Sequence, residues 1–146
     1  MKILILGAGR VGSSLASTLS KQEYEVSIVD LNKDKLLRLQ EDYDLATEIG
    51  HASHPNTLER AGADQDTVLL AVTNSDECNI TSCQIAKSKF NVKKTICRLS
   101  DSSYLESLEA FGEKNIDIAI GPENEVTEHL VELIKHPGAE QIESFA

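Results

Sequence analysis

The segment Gly7-Ala8-Gly9-Arg10-Val11-Gly12 constrains this chain more than any other. It follows Ile3-Leu4-Ile5-Leu6, a continuous apolar run of the kind that forms a strand buried on both faces. It opens a stretch in which Val11, Leu15 and Leu19 recur at helical spacing. A G-x-G-x-x-G pattern between a strand and a helix has a physical reason at each glycine. Gly7 permits the tight turn, Gly9 lets a pyrophosphate approach the backbone, and Gly12 lets the helix pack close to the strand. The helix start supplies N–H groups and a positive dipole end. A second strand-like run, Val26 to Val29, ends in Asp30, 18 residues beyond Gly12. A carboxylate there accepts the hydroxyls of an adenosine ribose. The same carboxylate repels a 2′-phosphate, and Leu31 and Asn32 offer no charge to hold one. Lys33 is the nearby cation and reads as a solvent-facing first-turn residue. NAD(H) or a plain adenosine phosphate is therefore favoured over NADP.

The rest of the chain repeats the alternation. Asn32 caps a second helix containing Leu36, Leu37 and Leu39, and a short strand is expected at Ala46 to Ile49. A helix ending at Gly62 leads to an apolar fourth strand, Thr67 to Val72. Helix Asp76 to Lys87, strand Thr95 to Leu99, helix Ser102 to Phe111 and strand Asp117 to Ile120 follow. Gly121-Pro122 then starts a last helix that stops at Pro137-Gly138. Six strands joined by right-handed crossovers close most simply as a Rossmann-like, doubly wound α/β sheet in the order 3-2-1-4-5-6.

Other residues join the candidate site by their place at strand exits. Thr73 and Asn74, after strand four, lie across the switch point from the glycine loop and face a ligand's phosphate or second ribose; alternatively Ser75 or Asp76 only caps the next helix. Arg10 in the glycine loop is a phosphate candidate. Arg98, at the end of strand five, either contacts phosphate or forms a surface ion pair. In the loop after strand three, His51, Ala52 and Ser53 read as contacts on the adenine side. His51 and His54 are spaced for a metal pair, but no further ligand converges on them, so no metal is expected.

Composition narrows the partners. The chain has 146 residues and a formal net charge of −10, with 40% hydrophobic and 26% charged residues, which is one soluble domain's worth. An acidic surface repels nucleic acid and anionic membrane surfaces. Cys78, Cys83 and Cys97 form no C-x-x-C pair and read as small buried hydrophobes in a reducing compartment. Met1-Lys2 leads straight into a strand, and no apolar run approaches the ~18 residues of a membrane span, so a cytoplasmic protein is expected. No Tyr-x-x-x-Lys pair or Ser/His/Asp constellation suggests catalysis. The rival reading is the cofactor domain of a nicotinamide-dependent oxidoreductase.

Several stretches resemble the nucleotide-binding domains of the RCK or KTN family, regulators of potassium conductance. They are Met1 to Gly12, Val29-Asp30, Gly50-His51-Ala52-Ser53-His54-Pro55, Ala61-Gly62-Ala63, Ala71-Val72-Thr73-Asn74-Ser75-Asp76-Glu77 and Pro137-Gly138-Ala139. The resemblance covers essentially the whole chain. It implies a cytoplasmic, non-enzymatic sensing subunit that binds NAD(H) or ATP/ADP and gates a separate Trk-type potassium-conducting membrane protein. It also implies a nucleotide-binding domain over 1–120 and, over 121–146, a crossover helix used for dimerisation followed by the start of a C-terminal segment, with subunits assembling into dimers or rings. Val126, Leu130, Leu133 and Ile134 form an apolar stripe on that helix. Such a stripe either folds back on its own sheet or, as the resemblance suggests, reaches across to a second subunit.

Overall fold

The computed structural model describes residues 1–108, 113–122 and 127–135. Within them, strands β1 (Lys2–Leu6), β2 (Glu25–Asp30), β3 (Ala46–Ile49), β4 (Thr67–Ala71), β5 (Lys94–Arg98) and β6 (Ile118–Ile120) form one parallel sheet. Helices α1 (Arg10–Ser20), α2 (Lys33–Asp42), α3 (Pro55–Arg60), α4 (Asp76–Phe90), α5 (Ser102–Glu106) and α6 (Thr127–Lys135) alternate with them. The strand order is β3-β2-β1-β4-β5-β6, the Rossmann-like order expected from sequence. Chain direction across the sheet reverses between β1 and β4, which opens a crevice at their carboxyl ends.

The period-two geometry of a strand sorts the apolar runs onto two faces. Ile3, Ile5, Val26, Ile28, Val68 and Leu70 meet Val11, Leu15 and Leu19 of α1 and Leu36 and Leu39 of α2. Leu4, Leu6, Val29, Leu69 and Ala71 meet Leu58 of α3 and Ile80, Cys83 and Ala86 of α4 on the other. Continuous apolar runs are needed here because helices cover both faces of the sheet. Leu37 is 45% exposed, because only Leu36 and Leu39 fall on the side of α2 that faces the sheet.

Helix ends follow local chemistry. Asn32 caps α2 by accepting from the amides of Asp34 and Lys35. Helix α4 runs to Phe90, three residues beyond the expected end, and stops where Asn91 adopts a left-handed conformation at φ 53°. The described part of α5 ends at Glu106, and the remainder of the stretch expected to Phe111 lies partly outside the described residues. So does the expected start of the last helix, including Val126.

In α6, Leu130, Val131, Leu133 and Ile134 are buried in the same core as α1. The buried Lys94 ammonium donates to the Leu133 carbonyl at 3.0 Å, which anchors the C-terminal end of α6 to β5. The described part of the apolar stripe is thus covered within one chain, so burial of that stripe does not itself require a second subunit.

The approach of α1 to β1 sets the tightest packing constraint. A Cβ on Gly12 would lie 1.7 Å from the Gly7 carbonyl oxygen. Because that contact is with backbone, no rotamer change relieves it. Gly12→Ala is expected to destabilise the fold by on the order of 3 kcal/mol or more, or to prevent folding, as measured by urea unfolding followed by circular dichroism. Wild-type stability in this variant would contradict the assigned packing.

Candidate functional site

The crevice at the switch point is a cavity of about 580 Å³. Its floor is the glycine loop. Gly7 has φ +104°, and a Cβ there would be strained and would meet the Thr73 Cα at 3.0 Å, so the loop touches the β4 exit through bare backbone. A Cβ on Gly9, in contrast, would meet nothing within 4 Å. Gly9 faces open space where a ligand's phosphates can approach the backbone. The first intrahelical bond of α1 is donated by the Ser13 amide to the Gly9 carbonyl at 2.8 Å, so the preceding helical amides have no intrahelical acceptor.

Asp30 does more than the sequence suggests. Its Oδ2 accepts from the Ala8 amide at 2.7 Å, and its Oδ1 accepts from the Asn32 amide at 2.7 Å. The carboxylate therefore ties the glycine loop to the start of α2. Each oxygen retains acceptor capacity toward the cavity that Asp30 lines.

Gly7, Gly9, Asp30, Leu31, His51, Ala52, Ser53, Thr73 and Asn74 all line this one cavity, so most of the sequence-derived residues converge. Ala8, Val11 and Gly12 are buried beside it and serve the loop and the helix–strand packing. The two arginines do not line the cavity. Arg10 is exposed on α1. Arg98 donates from Nη1 to the Thr73 carbonyl at 3.1 Å and to Asn74 Oδ1 at 3.4 Å, so it braces the β4 exit instead of facing the crevice.

A hydrogen-bonded brace holds Thr73 beside the glycine loop. Asn79 on α4 is fully buried; its Oδ1 accepts from the Thr73 amide at 3.0 Å and the Thr73 hydroxyl at 2.7 Å, and its Nδ2 donates to the carbonyls of Thr73 and Arg98. Asp76, 8% exposed, accepts from the amides of Ser100 and Asp101, each at 2.9 Å. Ser75 is the cap of α4, accepting from the Cys78 amide. The β4 exit thus both lines the cavity and caps the helix.

His51 Nδ1 accepts from the Ser53 amide at 3.2 Å, and Ser53 Oγ lies 2.9 Å away. An amide can only donate, so Nδ1 carries a lone pair and the neutral ring bears its proton on Nε2. The rings of His51 and His54 stack with centroids 4.5 Å apart and 16° between planes. Lone pairs lying in two nearly parallel planes do not converge on one ion. Among the described residues, no group of three or more His, Cys, Asp or Glu could hold a metal.

Several lining residues escape the sequence reading. Lys35, not Lys33, is the lysine that lines the cavity, and Glu77, Cys78 and Thr81 line the opposite side. Cys78 is correspondingly only half-buried, unlike Cys83 and Cys97. The missed signal is helix geometry. Side chains in a first turn lean toward the helix N-terminus, and Lys35 and Glu77 each fall two or three residues past a cap at the cavity rim. Glu77 is oriented by Tyr104, whose hydroxyl donates to Oε1 at 3.0 Å, and by the Ser75 hydroxyl, 3.3 Å from Oε2. Hydrogen bonding to its own backbone amide, then to Tyr104, holds its carboxyl below the usual range.

The sheet order, glycine loop and crevice define a Rossmann-like domain with its site at the switch point. The chain belongs to the TrkA-N domain family, whose sequence model matches residues 3–122. It is 46% identical to the Trk system potassium uptake protein TrkA of Vibrio alginolyticus over 149 aligned residues, which take in all of this chain and 32% of that protein. The chain thus spans about a third of that relative's length. Among solved structures, the TrkA-N domain of inner membrane protein ybaL from Escherichia coli superimposes with a TM-score of 0.73 at 18% identity, covering 91% of this chain and 96% of that one. The GsuK channel bound to NAD gives 0.61 at 20% identity, over 76% of this chain and 20% of the channel. ChuY, an anaerobilin reductase from Escherichia coli O157:H7, gives 0.72 at 16% identity, over 99% and 96% of the two chains. At such identities the likeness shows the fold alone. No described helix is long and apolar enough to cross a membrane.

Asn79→Ala is expected to leave the Thr73 amide and the Arg98 carbonyl without their partner, lowering stability by about 2–4 kcal/mol. Amide exchange at Thr73 should accelerate beyond the global change in stability. Exchange at Thr73 that only tracks global unfolding would show that the brace does not hold the β4 exit.

Proposed function

We propose that the chain is the nucleotide-sensing part of a cytoplasmic regulatory subunit of a potassium uptake system, binding NAD(H) or ATP/ADP and passing its state to a separate membrane pore. The observation that carries this reading is the meeting of the glycine loop and Asp30 in one cavity at the switch point of a TrkA-N domain. Backbone donors suit phosphates, and the carboxylate suits ribose hydroxyls roughly one ribose-to-phosphate span away. The pocket's Ala52 and His51 suit the adenine end, and His51 is backed there by the His54 ring stacked on it. The kinship to Trk system TrkA proteins supports a Trk-type potassium-conducting partner. The NAD-bound GsuK channel supports NAD as a ligand class for this fold beside a pore.

The reading is regulatory and not catalytic, with the protein reaching the membrane only through its partner. Residues 1–120 carry the nucleotide site, and the helix within 121–146 contributes to a dimer or larger ring through surfaces other than the buried stripe on α6.

Two substitutions test the site. Asp30→Ala should weaken NADH and ATP binding about tenfold or more in calorimetric titration, through loss of a charge-assisted contact and of the Ala8 anchor. Gly9→Ala should leave stability within about 0.5 kcal/mol, since its methyl meets no protein atom, yet should weaken both ligands by occupying the phosphate approach. Unchanged affinity in both variants would overturn the site.

A further inference from the structure

A second cavity, of about 570 Å³, adjoins the crevice and shares Gly50 and His51 with it. Its charged lining is Arg60, in the last turn of α3, and Lys89, in the last turn of α4; among the described residues no carboxylate joins them. This reverses the balance of the whole chain, which has 14 Lys+Arg against 24 Asp+Glu. A last-turn position suits a cation on dipole grounds, which accounts for each residue singly. It does not account for their meeting in one recess.

The recess also offers neutral donors. His51, His54 and Asn56 line it, and the two stacked rings form a flat wall. Each neutral imidazole carries one N–H, and the Asn56 carboxamide carries two. Arg60 is held in place through its Nε, which donates to Glu48 Oε2 at 2.9 Å, while Glu48 itself stands outside the lining. That bond uses one of five guanidinium donors and leaves the Nη groups for a ligand. Nη2 lies against bare backbone, 3.2 Å from where a Cβ on Gly50 would stand. A guanidinium fork, an ammonium and neutral N–H groups without a competing carboxylate are the donor set that recognises phosphate. The volume lies within the range of small-molecule sites, so there is room for more than a bare ion.

We propose that this second cavity binds a phosphate group, with Arg60 and Lys89 supplying the charge and His54 and Asn56 the neutral donors. It is separate from the nucleotide site, because none of these four residues lines the crevice.

The test is two-dimensional NMR of the nitrogen-15-labelled 146-residue chain, titrated with sodium phosphate, with glucose 6-phosphate and, at matched ionic strength, with sodium chloride. Both phosphates should shift the Arg60 Nε–H and His54 ring signals saturably, chloride should not, and preloading with NADH should leave these shifts in place. Tighter binding of glucose 6-phosphate would identify an organic monoester as the source of the group, and tighter binding of inorganic phosphate the free ion; either supports the site. Arg60→Gln and Lys89→Gln should each weaken phosphate binding about three- to tenfold, and the double variant should show no saturation. Lys33→Gln, which removes the same charge from an exposed position outside both linings, should bind as wild type does. The Arg60–Glu48 pair is largely exposed, so its loss should leave the fold intact, as checked by circular dichroism melts. Shifts that chloride reproduces, that NADH abolishes, or that persist undiminished in the Arg60 and Lys89 variants would overturn the site. Failure of NADH to bind would count against the nucleotide reading alone, since the phosphate titrations are read without it.

Discussion

The close passage of α1 over the end of β1 is the contact on which the rest of the site depends. At Gly12 the two backbones approach so nearly that a single methyl would sit inside a carbonyl oxygen. This proximity brings the first helical amides down to the mouth of the sheet, where their dipoles point toward whatever occupies the crevice. The left-handed turn at Gly7 continues the same requirement, because it folds the loop back against Thr73 without a side chain between them. Asp30 completes the arrangement from β2 by accepting the Ala8 amide. One carboxylate then both fixes the loop's position and lines the space above it, so the loop's geometry and the chemistry of the cavity wall are not separable properties.

The far side of the crevice is built on a different principle. There, buried polar groups do what close backbone packing does at Gly12. Asn79 fills all its hydrogen-bonding capacity with Thr73 and Arg98, and Asp76 saturates two amides at the β5 exit. Such groups are costly to bury unless satisfied, and when satisfied they specify one arrangement. The consequence is a rigid β4 exit whose position is locked to β5 and α5. Arg98 belongs to this brace, since its guanidinium at the end of β5 donates to the Thr73 carbonyl and to Asn74.

Local pattern sufficed wherever a residue's role was set by backbone. The apolar runs, the glycine spacing and the right-handed crossovers left little freedom in strand order, and Asp30 followed from its place at the end of β2. Side chains whose direction depends on helix phase were harder. Lys35 and Glu77 reach the cavity only because Asn32 and Ser75 set where each helix begins, and Lys33, two residues earlier, is exposed and outside the lining. Arg98 stands at the expected strand end, and its hydrogen bonds to Thr73 and Asn74 could not be read from that position. The stripe on α6 was legible as apolar, yet periodicity carries no information about which chain covers it.

A chain with a net charge of −10 gives an anion little attraction at long range, so local backbone geometry matters most in the cavity. Neutral backbone dipoles face the open space at Gly9, and the carboxylates that line the cavity stand at the β2 end and beyond the β4 exit. What matters at the site is the placement of Asp30, Lys35 and Glu77. Glu77 has a further consequence because its oxygens are already engaged by Tyr104 of α5 and by Ser75 of the β4 exit. Each oxygen keeps acceptor capacity beyond its one hydroxyl, so a contact at Glu77 adds to the set that Tyr104 and Ser75 already hold. Occupancy at that end of the cavity is therefore coupled, through a single carboxylate, to the anchoring of α5, whereas occupancy at the Asp30 end is coupled to the glycine loop and α2. The two ends of the cavity are thus tied to opposite halves of the doubly wound sheet.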